Sequence, residues 1–546
     1  MTFSFYRFYQ GILQEGKMTR PEAETSTMAI KSLLRDHCIG RITPGICVII
    51  IITLFLPGNV FAQNPEIRWW FDLDAPSFGS AATADVDGDG RLEIAFGTYF
   101  NDEHIYVLNA DSGTLLWKYN TGGCNDASPV IADVDLDGAL EVVIPSSSPY
   151  TVYCFDGAAG GVEWSTSTGY PNCLDSPPAV ADVDNDGRPE VVLGAWYGHV
   201  FCLNGENGDT CWHINLGTDS YIQSGPNILD VDGDDQLDVV VAQFAGDCCV
   251  YALRGNNGAA LWHSEEPSDY LYHGGSFADI DEDGKPEIAI GCYDGYVYVL
   301  NAEDGSLEWK HGDAYYIGAP TSIADLNNDG HYEIVYVSYN KLVVLSNTGG
   351  ELWSYYAAGG IFRGAAVSDI DGDDTLDVIF GADDGILRVL DGNDGAIIWT
   401  LDLQAHYGKT FEIDHAPIIA DFDGDGTLDI FIIGGYGRSS PSDANHGRAY
   451  MISAGIGTGP EWPMFRHDER HSACIELVTF ICGDANGDGA VNILDISFLI
   501  AFLYLEGPPP DPEEAADVNS DGAINVLDIT YLIKFLYLSG SEPNCP

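Results

Sequence analysis

The sequence predicts a mainly β protein, an eight-bladed β-propeller followed by a small α-helical domain. Two observations predict the propeller: an acidic motif returns eight times at intervals of 44 to 52 residues, and apolar segments ending in tryptophan follow the first seven copies. Repeats of this length are typical of propellers, solenoids and repeat arrays. A third observation, a change of composition after Cys474, predicts the second domain.

The composition is that of a folded, strongly acidic protein. A chain of 546 residues exceeds one ordinary hydrophobic core and predicts at least two domains. Asp and Glu outnumber Lys and Arg 84 to 22, which disfavours binding to phosphate backbones and anionic lipids, so we expect no nucleic-acid partner. Because 45% of the residues are hydrophobic and 12% aromatic, the chain is not a disordered acidic tail.

Residues 1–62 are interpreted as a signal peptide with an extended N-terminal region. Basic residues precede an apolar run at 47–56, and Val60 and Ala62 satisfy the small-residue rule for cleavage. A membrane anchor is the weaker interpretation, because the run has 10 residues and a spanning helix needs about 20. Met28 is an alternative start. We therefore expect a secreted protein, extracellular or associated with the cell surface, without a membrane span after cleavage.

Residues 63–474 are predicted to form the propeller, with about four antiparallel strands in each repeat. In the first repeat, a short strand enters the acidic loop, a second strand follows at 92–99, and a hairpin with the turn NADSG ends at Trp117. Four-stranded units repeated radially build a propeller. The tryptophans at this phase, predicted to be core or blade-packing residues, are Trp117, Trp164, Trp212, Trp262, Trp309, Trp353 and Trp399.

Extra strands at both ends of this region predict how the ring closes. A strand with Trp69 and Trp70 precedes the first acidic loop, and another with Trp462 follows the last. Pairing of the two ends would remove the exposed sheet edges. Eight acidic loops predict eight blades, and seven blades are the alternative if one unit is used for closure.

The acidic loops have the spacing of a calcium site. Carboxylates about 4 Å apart repel by roughly 4 kcal/mol per pair at an effective dielectric of 20, so a cation is expected among them. Hard oxygen ligands of this number suit calcium, with a backbone carbonyl at the seventh position, whereas magnesium demands a stricter octahedron. Solvated acidic turns are the alternative. The predicted ligands, loop by loop, are Asp85, Asp87, Asp89 and Glu93; Asp133, Asp135, Asp137 and Glu141; Asp182, Asp184, Asp186 and Glu190; Asp230, Asp232, Asp234 and Asp238; Asp279, Asp281, Asp283 and Glu287; Asp325, Asn327, Asp329 and Glu333; Asp369, Asp371, Asp373 and Asp377; and Asp421, Asp423, Asp425 and Asp429.

Three loops depart from the common pattern. The fourth and seventh carry Asp235 and Asp374 at the sixth position, where the others have glycine for a turn with positive φ. Asn327 leaves the sixth loop with one charge fewer. We expect the fourth and seventh sites to be weaker or slightly deformed.

These loops resemble the FG-GAP or VCBS repeats of integrin α-chain propellers. In that family the pattern Asp-x-Asp-x-Asp-Gly-x-x-Asp binds calcium between blade strands, which the resemblance implies here. The half-repeat NADSGTLLW, at 109–117, is similar to the tryptophan motif of quinoprotein-like propellers. The resemblance covers residues 63 to about 470 and implies an architecture rather than an activity.

Residues 475–481 are predicted to be a linker, and residues 482–546 a second calcium-binding domain. Two acidic loops 33 residues apart each run into an apolar helix, as in half of an EF-hand. The predicted ligands are Asp484, Asn486, Asp488, Asn492 and Asp495, and then Asp517, Asn519, Asp521, Asn525 and Asp528.

This duplicated region resembles a type I dockerin. The resemblance implies binding to a cohesin-like module through the two helices, and hence attachment to a scaffold. Cellulosomal dockerins often carry Ser-Thr at loop positions ten and eleven, but here these are Ile493 and Leu494, then Val526 and Leu527. The resemblance therefore does not extend to a clostridial-type cohesin. A calcium-stabilised end domain without a partner is the alternative.

No nucleophile elbow, zinc-ligand spacing or phosphate-binding loop occurs in the sequence, and the catalytic residues, if any, are unknown. We predict a secreted calcium-binding propeller that binds carbohydrate or protein and is tethered by its dockerin to a cohesin-bearing extracellular scaffold. The alternative is a polysaccharide-degrading enzyme, a lyase or glycoside hydrolase, with polysaccharide as partner. A quinoprotein-like dehydrogenase is a minor alternative, suggested by the adjacent Cys248 and Cys249. Insertions at 403–415 and 434–450 are candidate functional loops.

Overall fold

The computed structural model describes most of the predicted propeller and the two C-terminal helices. The described residues are 65–457 apart from 149, 170–172, 235, 247–248, 314, 374 and 438–443, and then 459–462, 464, 483, 485, 491–505, 510, 513–516, 518 and 524–538. The predicted signal peptide and the linker 475–481 lie outside this part of the chain. So do six predicted ligands, Asp484, Asn486, Asp488, Asp517, Asn519 and Asp521.

Eight antiparallel sheets form an eight-bladed β-propeller, which confirms the predicted fold class and excludes the seven-bladed alternative. Each blade runs from an innermost to an outermost strand. Blade 1 contains β2 (Ala82–Ala84), β3 (Glu93–Gly97), β4 (His104–Asn109) and β5 (Leu115–Asn120); blade 2 contains β6 (Val130–Ala132), β7 (Glu141–Ser146), β8 (Thr151–Asp156) and β9 (Val162–Ser167); blade 3 contains β10 (Ala179–Ala181), β11 (Glu190–Gly194), β12 (His199–Asn204) and β13 (Thr210–Asn215); blade 4 contains β14 (Asn227–Leu229), β15 (Asp238–Ala242), β16 (Val250–Arg254) and β17 (Ala260–Ser264).

The second half of the ring has the same order of strands. Blade 5 contains β18 (Ser276–Ala278), β19 (Glu287–Gly291), β20 (Tyr296–Asn301) and β21 (Leu307–Gly312); blade 6 contains β22 (Ser322–Ala324), β23 (Glu333–Ser338), β24 (Lys341–Leu345) and β25 (Glu351–Tyr356); blade 7 contains β26 (Ala366–Asp369), β27 (Asp377–Gly381), β28 (Ile386–Asp391) and β29 (Ile397–Asp402); blade 8 contains β30 (Ile418–Ala420), β31 (Leu428–Tyr436) and β32 (His446–Gly455), completed by β1 (Glu66–Leu73).

The ring is closed by the N-terminal strand alone. β1 pairs antiparallel with β32, with Trp70 opposite Tyr450, and forms the outermost strand of blade 8. The predicted closure is confirmed for the N-terminal strand, whereas the expected role of the C-terminal strand in it is wrong. The C-terminal strand β33 (Gly459–Trp462) pairs instead with β26, the innermost strand of blade 7, and contacts β22 and β30. Because β1 already covers the outer edge of blade 8, β33 lies along the free inner edges around the central channel.

Tryptophans join one blade to the next. The Trp117 indole donates a hydrogen bond to the Gly157 carbonyl at 2.6 Å, and the Trp164 indole donates to Gly205 at 2.7 Å. The Trp117 ring lies so close to the turn of the next blade that a Cβ at Gly160 would be 2.5 Å from it. The tryptophans therefore pack between blades, as their constant phase predicts.

Two faces of the propeller follow from this strand order. The loop between the innermost and second strands of each blade lies at one end of the sheet, which we call the acidic face because it holds the acidic loops. The loop between the second and third strands, and the connection to the next blade, lie at the opposite end, which we call the connecting face. Antiparallel strands alternate in direction, so each face collects its own set of loops.

The helices are few and short. In the 403–415 insertion, α1 (Leu403–Tyr407) begins at the N-cap Asp402, whose carboxylate accepts a hydrogen bond from the Ala405 amide. The C-terminal region contains α2 (Ile493–Leu505), a 3-10 helix (Glu513–Ala516) and α3 (Val526–Leu538). Leu499 and Leu532 are fully buried where α2 and α3 pack together. No helix in the described ranges is both long and apolar enough to cross a membrane.

Candidate metal centres

The aspartates of each loop hold its backbone in a tight turn. In the first loop the Asp89 and Gly90 amides donate to the Asp85 carboxylate at 3.0 and 2.9 Å, and the Asp89 amide also donates to Asp87. The same amide-to-carboxylate bonds recur in the second, third, fifth and eighth loops. Side chains that bond to the backbone two to five residues on pre-form the turn without a metal.

The ninth loop position is a buried carboxylate. Glu93 is fully buried, and its Oε2 accepts a hydrogen bond from the Val86 amide at 3.0 Å. Its Oε1 has no hydrogen-bond partner among the described residues. Burial, reinforced by the nearby aspartates, raises the pKa of Glu93 to about 7. A buried carboxylate with an unpaired oxygen requires either a proton or a cation, so this position fits a metal ligand.

The same burial recurs around the ring. Asp238 and Glu287 likewise each have one carboxylate oxygen without a hydrogen-bond partner among the described residues. Burial is the main cause of each raised pKa at the ninth position. The resulting pKa values are about 8 for Glu141, about 7 for Glu190, about 6 for Asp238, about 7 for Glu287, about 7 for Glu333 and about 8 for Asp377.

In each of the first five loops, the structure brings three of the four predicted ligands together. Carboxylate oxygens within 4.8 Å of one another form the groups Asp85, Asp87 and Glu93; Asp133, Asp135 and Glu141; Asp182, Asp184 and Glu190; Asp230, Asp232 and Asp234; and Asp279, Asp281 and Glu287. The fifth-position aspartates Asp89, Asp137, Asp186 and Asp283 do not belong to these groups, and in the fourth loop the ninth-position Asp238 does not. These oxygen clusters fit a hard cation such as calcium.

Each loop has a left-handed residue at its fourth position, which was not predicted from the sequence. The fourth residue has positive φ, for example 63° at Leu136 and 71° at Gly88, and so does the sixth in the six loops where the structure describes it. The signal was present in the sequence, because the fourth position holds glycine in four loops and asparagine in two. Leu136 and Glu282 are the two residue types least suited to it.

In the sixth and eighth loops, a side chain donates a hydrogen bond to the buried ninth-position carboxylate. In the sixth, the Asn327 amide donates to Glu333 Oε1 at 3.1 Å, the oxygen that is unpaired in the first loop. In the eighth, Arg68 on β1 donates to both oxygens of Asp429, at 3.0 and 2.7 Å, and forms an ion pair with Asp423. A fixed guanidinium thus already neutralises part of the eighth cluster. Asp235 and Asp374, the predicted departures in the fourth and seventh loops, lie outside the described residues.

Family comparisons agree with both parts of this architecture. Residues 85–144 and 133–193 match the model described as FG-GAP-like repeat, and residues 247–462 match the one described as outer membrane protein assembly factor BamB. Residues 482–537 match the dockerin type I domain. The chain is an eight-bladed propeller with matches to FG-GAP-like repeats in its first part and to the dockerin type I domain at its C-terminal end. FG-GAP repeats and dockerins generally bind calcium, dockerins bind cohesins, and proteins that contain dockerins are typically extracellular.

Solved structures that are similar to this propeller share its fold. The biofilm matrix protein Bap1 of V. cholerae aligns with a TM-score of 0.54 and 16% identity, over 74% of this chain and 93% of Bap1. The quinohemoprotein alcohol dehydrogenase ADHIIG of Pseudomonas putida HK5 aligns with a TM-score of 0.52 and 14% identity, over 73% of this chain and 78% of the enzyme. At these identities the likeness concerns architecture only. No curated protein sequence matches significantly.

The described part of the dockerin shows how each loop joins its helix. The Leu494 amide donates to the Asn492 side chain at 2.9 Å, and the Asn492 amide donates to Asp495 at 2.7 Å. Asn525 and Asp528 repeat this reciprocal cap before α3. Asp495 and Asp528 are fully buried. The twelfth loop position therefore caps its helix from the same place where a calcium ligand is predicted.

Proposed function

We propose that this chain is a secreted, calcium-stabilised binding module, which its dockerin tethers to a cohesin-bearing extracellular scaffold. The observation that carries the proposal is the duplicated apolar surface of the dockerin. Ile493 and Leu494 are 57% and 55% exposed, and the equivalent Val526 and Leu527 are 51% and 57% exposed. Large apolar side chains exposed in matching pairs are typical of an interaction site rather than a chance surface.

The same duplication continues along both helices. Ile500 and Ile533 are 39% and 38% exposed, and Tyr504 and Tyr537 are 62% and 58% exposed. Two equivalent surfaces would present the same apolar contacts to a cohesin in either orientation. Apolar residues stand at loop positions ten and eleven, where cellulosomal dockerins often carry Ser-Thr. We therefore expect the partner cohesin to offer a complementary apolar patch.

Cohesin binding tests the tethering proposal. We expect the full chain to bind at least one cohesin of a panel in calorimetry with calcium, and the double change Leu494→Asp with Leu527→Asp to abolish the binding. Leu352→Asp, at a 50% exposed leucine on the propeller, is the matched control. A chain that binds no cohesin of the panel, or binding that the double change leaves intact, contradicts the proposal.

Calcium binding by the propeller is the second part of the proposal. It is supported by the Oε1 atom of buried Glu93, which has no hydrogen-bond partner among the described residues. It is also supported by the Asp89 amide, which donates to both the Asp85 and the Asp87 carboxylates and so holds them in one turn. Bound calcium stabilises by linkage, by about 2.7 kcal/mol for free ion at 100 times the dissociation constant. We expect chelation to lower the melting temperature of the chain, and an unchanged melt in excess chelator contradicts structural calcium.

A polysaccharide-degrading enzyme remains the second candidate, with one observation in its favour. Asp383 and Asp414 share a hydrogen bond on the connecting face, and burial raises the pKa of both. Hydrogen-bonded carboxyl groups lie closer than the about 5 Å of retaining glycosidases, so proton abstraction of the lyase type fits this pair better than glycoside hydrolysis. New unsaturated ends in a polysaccharide digest, absent with Asp414→Asn, would favour this function. The quinoprotein alternative rests on Cys248, which lies outside the described residues.

A further inference from the structure

Aromatic side chains form a continuous crescent on the connecting face of blades 4 to 6. Phe244, Tyr270, Tyr272, Tyr293, Tyr316 and Tyr339 compose it, and Tyr315 packs against its end. Ring centroids lie 4.9 Å apart for Phe244 and Tyr270, and 4.9 Å apart for Tyr293 and Tyr316. Tyr270 and Tyr315 are 37% and 58% exposed, so the crescent is open to solvent.

Charged groups meet on the propeller axis next to the crescent. The Arg363 guanidinium of blade 7 donates to the Phe78 carbonyl of blade 1 at 2.6 Å, and it interacts electrostatically with Asp126, Asp175 and Asp414. A side chain can face blades 1, 2, 3 and 8 together only near the axis. We call Arg363 and these three aspartates the axial well. Tyr272 of the crescent also interacts with Arg363, which joins the two features.

Hydrogen-bonding capacity remains in the wall of the well. Gln223 is 9% exposed, and its amide donates to Asp175 at 3.0 Å, whereas its Oε1 has no partner among the described residues. The three aspartates of the well are partly accessible to solvent, yet burial raises the pKa of Asp126 to about 8. Protonated and ionised carboxyl groups near neutral pH would offer hydrogen-bond donors as well as acceptors.

Among the described residues, β33 fills the central channel on the acidic-face side of the well. β33 pairs with β26 at Val367 to Asp369, just after the turn that carries Arg363, and it also contacts the innermost strands of blades 6 and 8. It therefore occupies the channel between the well and the acidic face. Apolar and aromatic side chains beside a few convergent polar groups are typical of a ligand-binding site.

We propose that the crescent and the axial well together bind a neutral glycan chain. The apolar faces of sugar rings pack on aromatic side chains, and sugar hydroxyls match a mixture of carboxyl, amide and guanidinium groups. The well contains three aspartates and one arginine, and the whole chain has a net charge of −62. Repulsion between negative charges therefore disfavours uronate polymers as ligands. The proposal rests on the role of a binding module and is independent of the tethering.

Affinity electrophoresis of the full chain in gels that contain a soluble neutral polymer tests the proposal. The probes are a β-glucan, a mannan and a xylan, with polygalacturonate and chitosan as charged comparisons. We expect retardation by at least one neutral polymer and none by polygalacturonate. Tyr315→Ala and Tyr270→Ala should each weaken the binding about tenfold, which corresponds to about 1.4 kcal/mol.

The matched control is Tyr356→Ala on β25, because Tyr356 is 66% exposed on blade 6 and is not a member of the crescent. It should leave the affinity unchanged, and all three variants should melt like the parent chain. Absence of retardation by every neutral polymer, equal loss with Tyr356→Ala, or retardation by chitosan alone overturns the proposal. A chain that is captured by a cohesin but by no neutral glycan refutes this inference and leaves the tethering standing.

Discussion

Single residues in the acidic loops carry a conformational cost that substitution can expose. Leu136 has φ of 63° and is 56% exposed, a conformation that costs an ordinary residue about 1 to 2 kcal/mol. We expect Leu136→Gly to raise the free energy of unfolding by about 1 kcal/mol in chemical denaturation, since glycine adopts this conformation freely. Leu115→Gly, at a 42% exposed strand leucine, should lower it by about 0.5 to 1 kcal/mol. Destabilisation by both changes contradicts the explanation.

The buried carboxylate of each loop is the residue on which metal binding should depend most. In Glu93→Gln, the side-chain oxygen can still accept from the Val86 amide, but the charge that the cation needs is lost. We expect one calcium equivalent fewer in a titration, with a calcium-free melting temperature equal to or above that of the parent. Glu103→Gln, outside every acidic loop, is the control. Unchanged stoichiometry would remove Glu93 from the ligand set.

At the scale of strands and loops, what could be predicted is what the chain encodes locally. The hairpins, the acidic turns and the interblade tryptophans recur at a fixed phase, so their positions follow from the repeat. The contact of Arg68 with Asp429 joins residues 361 apart, and no local pattern predicts it. The channel position of β33 and the meeting of Asp126, Asp175 and Asp414 on the axis likewise depend on ring geometry.

Arg68 should make the eighth loop differ from the fourth, because it contacts the buried Asp429, whereas Arg254 contacts Asp232 and Asp234 of the fourth loop. In Arg68→Gln the guanidinium no longer neutralises Asp423 and Asp429. We expect one additional or tighter calcium equivalent, together with a loss of about 3 kcal/mol in calcium-free stability, since a buried carboxylate is left unpaired. Calcium titration and denaturation in chelator measure the two effects. Arg91→Gln, at an exposed partner of Asp89, should change neither, and an unaltered calcium count in Arg68→Gln contradicts the explanation.

For the whole molecule, stability should depend on pH in opposite ways with and without calcium. The pKa values of Glu93 and Glu287 are raised to about 7 in the folded chain, so between about pH 4.5 and 7 the calcium-free folded state binds more protons than the unfolded state. Its free energy of unfolding therefore falls as pH rises through this window. Calcium at the proposed sites would replace these protons, so we expect its binding to strengthen over the same range.

The difference between melting temperatures with calcium and with chelator should accordingly widen from pH 5 to pH 8. Differential scanning calorimetry at constant ionic strength measures it. The calcium-free chain itself should melt at a lower temperature at pH 8 than at pH 5. A difference that stays constant across this range would mean that the ninth-position carboxylates are not where calcium and protons compete.

Closure by β1 sets the order in which the molecule can be completed. The first strand of the ring to leave a ribosome or an export channel finds its only neighbour, β32, after seven further blades have followed. Until then the nascent chain is an open arc with two unsatisfied edges, prone to self-association. Since the dockerin emerges later still, a chain broken off early would lack the proposed attachment to a cohesin.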